Sequence, residues 1–151
     1  MVVFHSARRI LARSIILLAA LYSVSTWAQT ETVGGMVVRL GVVSAEHARE
    51  APGELQSHLR IPKSKSMQHL MVSLFKAEGG ERITDAKVSI AVENPLGQIQ
   101  QKELLNAAPA GPVDYSEFFR FDMSGKYVIT VSVTRKGEPK PVEAVFTEEI
   151  Q

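Results

Sequence analysis

From Ala86 to Glu93 the chain sets apolar side chains at even positions and mostly polar ones at odd positions. The same alternation runs from Gly125 to Val133, with Tyr127, Ile129, Val131 and Val133 on one side, and again after Gly34-Gly35, where Met36, Val38, Leu40 and Val42 share a side. A two-residue period rich in β-branched residues is the mark of a half-buried strand. Further strands are predicted at Gln68–Lys76, Gln98–Leu104, Tyr115–Phe121 and Val142–Thr147. Gly and Pro punctuate them at Glu78-Gly79-Gly80-Glu81, Asn94-Pro95-Leu96-Gly97, Met123-Ser124-Gly125 and Lys136-Gly137-Glu138-Pro139, residues that make turns and do not continue a central strand. About seven strands at such spacing, with little room for helix, predict an all-β protein: an antiparallel β-sandwich.

One stretch departs from the rhythm. Between Ser44 and Ser66 no strand pattern appears. Ser44 can cap a short helix through Ala45–Glu50 that Pro52-Gly53 stops, and the segment from Leu55 to Pro62 reads as irregular. A loop of this length, 44–66, is unusual in a compact domain and is often functional or disordered; a plain connection at the end of the sandwich is the other reading.

The first 28 residues read differently again. Arg8, Arg9 and Arg13 precede the apolar run Ile15–Leu21, and Ser25-Thr26-Trp27-Ala28 follows, with small side chains at the third and last positions before a cut after Ala28. That order describes a cleavable secretory signal peptide over residues 1–28. The apolar run is roughly half the ~20 residues a membrane span needs, so no stable membrane anchor is expected after cleavage. The mature domain is then 29–151, a single unit exported to the periplasm.

Removal of the signal changes the charge. The chain holds 17 Lys and Arg against 16 Asp and Glu, and the signal carries three of the arginines and no acid, so the mature part has a net charge of −2. Nucleic acid is not an expected partner, because phosphate binding needs a clustered basic face, and Arg60, Lys63 and Lys65 are too sparse for one. The chain has no Cys. Disulfides, thiol catalysis and thiolate metal sites are thereby excluded, and any metal must be held by His, Met or carboxylates.

The most suggestive group is Met67-Gln68-His69-Leu70-Met71. On a strand, Met67, His69 and Met71 share one face, with Leu70, Val72 and Leu74 on the other. Two thioethers flanking an imidazole suit a soft ion such as Cu(I), and His58 and His47 in the loop are candidates to close the site. The alternative is that the Met and Phe75 side chains of that face simply pack beneath the loop while His69 bonds a carbonyl. Glu46, Glu50 and Glu54 read as a solvated face. No nucleophile elbow, phosphate loop or HExxH pattern is present, so no enzymatic activity is expected.

Tyr127, two residues after Gly125, matches the Tyr that locks a corner in Ig-like sandwiches, where the hydroxyl bonds back to upstream backbone. The runs Met71–Phe75, Gly79-Gly80, Ile83–Val88 and Phe121–Tyr127 resemble the YtkA-like/FixH-like group of small bacterial envelope domains, over roughly residues 36–147. The resemblance implies an Ig-like sandwich and an accessory role in the envelope, linked in some members with copper handling or oxidase assembly. Members associated with metal carry Met next to His near the loop, and here Met67-x-His69-x-Met71 comes nearest to that. The reading is therefore a periplasmic, non-enzymatic binding domain for a soft metal such as copper. Its rival is an envelope protein-interaction module in which an edge strand, with Val142–Thr147 as candidate, accepts a partner's strand.

Overall fold

The alternating runs become strands with their apolar positions turned inward. The computed structural model describes residues 27–50, 61–106 and 115–151. In chain order these form β1 (Trp27–Val33), β2 (Met36–Ser44), α1 (Ala45–Glu50), β3 (Met67–Lys76), β4 (Lys87–Glu93), β5 (Ile99–Glu103), β6 (Leu105–Asn106), β7 (Tyr115–Arg120), β8 (Gly125–Thr134) and β9 (Val142–Ile150). Two antiparallel sheets result. One has the order β1-β2-β3-β7-β6 and the other β5-β4-β8-β9, which is the expected all-β Ig-like sandwich. Residues 1–26 of the expected signal, His58 and Glu54 lie outside the described residues.

The core is the space between the sheets. Leu70, Val72 and Leu74 of β3 face Val88, Ile90 and Val92 of β4 and Ile129 and Val131 of β8 across it, all buried. Burying such side chains is the dominant favourable term in folding, and alternation is what lets each strand present a continuous apolar face.

Nine strands are formed by the described residues, against about seven expected. The additional two carry no alternating signal. β1 reads Trp-Ala-Gln-Thr-Glu-Thr-Val and is an edge strand; β6 is two residues long. Trp27 and Ala28, assigned to the signal, stand opposite Val42 and Gly41 as the first rungs of β1. The hairpin that joins β1 to β2 turns on Gly34 and Gly35, at φ 55° and 70°. Two successive positive φ angles make the two-residue turn whose twist matches the flanking strands.

Side chains close the sheet edges. Beyond the short β6, the free edge of β7 is met by β5 of the opposite sheet. The Gln100 amide donates to the Arg120 carbonyl at 2.8 Å and accepts from the Arg120 N–H at 3.1 Å, imitating a rung of the ladder. Lys102 Nζ donates to the Phe118 carbonyl. On the other flank, β1 lies beside β9, where the Gln29 amide donates to the Thr147 carbonyl at 2.8 Å and to Glu148 Oε2 at 3.1 Å.

The corner expected at Tyr127 is present. The Met123 N–H donates to the Tyr127 hydroxyl at 3.0 Å, and the hydroxyl donates to the Met123 carbonyl at 3.1 Å. The ring is fully buried against Phe121, 4.6 Å between centroids. Tyr127→Phe keeps the ring and removes both bonds. It should destabilise the domain by about 1–3 kcal/mol, read as a lower urea midpoint at unchanged m-value.

Candidate metal centre

β3 is a central strand, paired with β2 on one side and β7 on the other. Because its even positions fill the core, its odd positions Met67, His69 and Met71 face outward together. The expected shared face is therefore formed. Outward does not mean exposed here: His69 is only 1 % accessible, while Met67 and Met71 are half-buried.

The burial has identifiable sources. Opposite His69 stand Val43 of β2 and Phe118 of β7. The Phe118 ring stacks on the imidazole with centroids 4.5 Å apart and planes inclined by 22°. At the end of β2 the chain turns directly into α1, with the Ser44 hydroxyl accepting from the His47 N–H at 3.0 Å as a helix cap. The helix lies against β2 and β3, with Ala45 and Ala48 buried. Arg49 ties it to the returning chain by donating to the Pro62 carbonyl at 2.6 Å.

The imidazole Nε2 is buried and has no hydrogen-bond partner among the described residues. Leaving such a group unpaired costs about 1–3 kcal/mol. Burial pushes the His69 pKa below its ordinary 6.5, with the Glu117 carboxylate opposing the shift. Glu117 is itself engaged: Oε1 accepts from the Phe118 N–H at 2.8 Å and lies 4.0 Å from Lys102 Nζ. The balance leaves a neutral imidazole, the form that ligates metal.

The other candidates are placed less centrally. His47 is on α1 with its side chain exposed, and Glu46 is exposed as expected of a solvated face. Among the described residues no three His, Asp or Glu side chains group to hold a metal ion. What the face does offer is one imidazole between two thioethers, a soft donor set. The sequence signal that finds Phe118 is alternation, which puts Phe118 and Phe119 on opposite faces of β7 and leaves Phe118 on the face of His69. Gly41 stands opposite Met71 within β2 and carries no donor signal of its own.

Solved structures share this architecture. A DUF4426 family protein from Pseudomonas aeruginosa PAO1 superposes with a TM-score of 0.66 at 20% identity, covering 82% of this chain and 94% of that one. FetP of uropathogenic Escherichia coli strain F11, recombinantly expressed in the periplasm of E. coli BL21(DE3), gives a TM-score of 0.59 at 16% identity over 82% of this chain and 94% of its own. A copper-bound variant of Campylobacter jejuni P19 gives 0.57 at 11% identity over 82% and 95%. A variant of FetP is likewise copper-bound. At these identities the likeness is one of fold, and the resemblance to the YtkA-like/FixH-like group stands at that level too. No family model and no curated protein matches the sequence.

A depressed His69 pKa makes the stability of the metal-free domain pH-dependent. Below pH 6.5 the unfolded chain takes up a proton that the folded imidazole resists, so folding stability falls on acidification through that window. Chelator-treated wild type should lose more stability between pH 7 and 5 than His69→Leu, as followed by urea unfolding across the range.

Proposed function

We propose that this chain is a periplasmic, non-enzymatic domain that binds copper as cargo. His69 supplies imidazole Nε2, Met67 and Met71 supply thioether sulfur, and a further ligand comes from His47 on α1 or from His58, which lies outside the described residues. The observation that carries this reading is the buried Nε2 of His69. It lacks a partner among the described residues, belongs to a neutral ring, and lies between two methionines on one strand face. A packed core histidine would spend that nitrogen on a carbonyl. The fold shared with copper-bound FetP and P19 supports the same reading.

Thioether and neutral imidazole donors favour Cu(I) over harder ions. Phe118 shields one face of the ring, and burial lowers the local dielectric, which disfavours a second proton on the imidazole. A soft ion could therefore enter without competing against protonation near neutral pH. The mature domain should bind Cu(I) in competition with a chromophoric chelator. His69→Ala should weaken binding by about tenfold or more, which is about 1.4 kcal/mol at the least. Equal affinity in the two proteins would refute the site.

Export belongs to the same reading. Among the described residues no helix is long and apolar enough to cross a membrane. A cut after Ala28 would remove two rungs of β1 and leave Gln29–Val33 paired with β2, the Gln29 bonds to β9 included. The intact mass of protein recovered from the envelope fraction should correspond to a chain beginning at Gln29. A mass that retains residues 1–28 would remove the case for a released periplasmic domain.

A further inference from the structure

Gly41 sits inside β2, and its backbone is not in the positive-φ region that requires glycine. A glycine there gives up side-chain packing and often marks a close approach by another group. The approaching group is Met71, its cross-strand partner. A Cβ built on Gly41 would lie 3.3 Å from Met71 Cε and 3.9 Å from Met71 Cβ. The thioether tail is therefore laid sideways over β2, its methyl against the space a side chain would fill. His69 leans the other way, stacked 4.5 Å from Phe118 on β7. Two neighbouring donors of one strand face thus rest over opposite flanking strands.

We propose that Gly41 is the positioning residue for Met71. It provides a resting slot over β2 from which the flexible thioether swings toward His69 when a soft cation such as Cu(I) arrives. This rests on the copper reading above and adds a moving ligand to it. Methionine suits the task because its unbranched, polarizable side chain changes rotamer readily. The slot competes with the bound arrangement, so the observed affinity is reduced by the fraction of time Met71 spends in it. Filling the slot removes that competition. An alanine methyl is tight against Met71 Cε at 3.3 Å, and the flexible tail is the part that yields.

The test uses the mature domain labelled at the methionine methyls, with Cu(I), which is diamagnetic, as the probe. In metal-free wild type the Met71 methyl should show a nuclear Overhauser contact to the Gly41 Hα protons, and that contact should vanish when Cu(I) is added. Gly41→Ala should displace the methyl without metal and should bind Cu(I) about threefold or more tightly. The gain should be absent when Gly41→Ala is combined with Met71→Leu. A contact that persists with Cu(I) bound overturns the swing. So does a Gly41→Ala affinity equal to or below that of wild type, while wild-type binding still depends on His69. Wild type that binds no Cu(I), or binds it equally after His69→Ala, overturns the copper reading itself and the swing with it. The wild-type contact needs no variant, so a poorly folding Gly41→Ala does not remove the test.

Discussion

The register of β3 is the constraint on which the rest depends. A strand buried in the middle of a five-stranded sheet is held by hydrogen bonds on both sides, and its two faces are assigned by parity. Leu70, Val72 and Leu74 are fully buried in the core, so His69 must face outward between Met67 and Met71. A slip of one residue would exchange the faces and drive an imidazole and two thioethers into the apolar layer. The same force that closes the sandwich thereby fixes the donor row, and no separate interaction is needed to align it.

Burial then gives that row its chemistry. An exposed histidine between two methionines would be hydrated and part-protonated near its ordinary pKa. Here α1 follows β2 immediately, brings the small side chains of Ala45 and Ala48 against the sheet, and Phe118 covers one face of the ring. Desolvation disfavours the imidazolium more than Glu117 favours it. That outcome is reasonable, because the Glu117 carboxylate shares its charge with the Phe118 N–H and with Lys102. A carboxylate left unengaged would act more strongly on the ring and hold a proton on it.

How much of this the sequence disclosed follows from where each residue's signal lies. Alternation is a property of a strand's own residues, so β2, β3, β4 and β8 and their inward faces were legible, as were the turn glycines and the Tyr127 corner. β1 was not, because an edge strand with polar Gln29, Thr30, Glu31 and Thr32 has no apolar face to announce it. β6 was too short to carry a period. For the site, the common face of Met67, His69 and Met71 could be read, since it needs only parity. The burial of His69 could not, because the Phe118 ring that stacks on it is brought there by pairing of β3 with β7, a segment distant in sequence. Gly41 was visible as a gap in an alternating strand, but what it accommodates depends on the residue across the ladder.

The distribution of satisfied edges bears on where a ligand can be received. Strand addition needs a row of unpaired main-chain groups. β9 is an edge strand, yet its Thr147 carbonyl is taken by Gln29 of the neighbouring β1. On the opposite flank, Gln100 occupies both main-chain groups of Arg120, and Lys102 takes the Phe118 carbonyl. A partner's strand would have to displace these side chains to bond at Thr147, Phe118 or Arg120. The outer face of β3 holds the opposite situation: a buried nitrogen without a partner among the described residues, whose pairing would relieve a penalty already present in the folded state. At those positions binding must break a bond, whereas pairing the His69 nitrogen supplies a missing one, on a face that also holds the thioethers of Met67 and Met71.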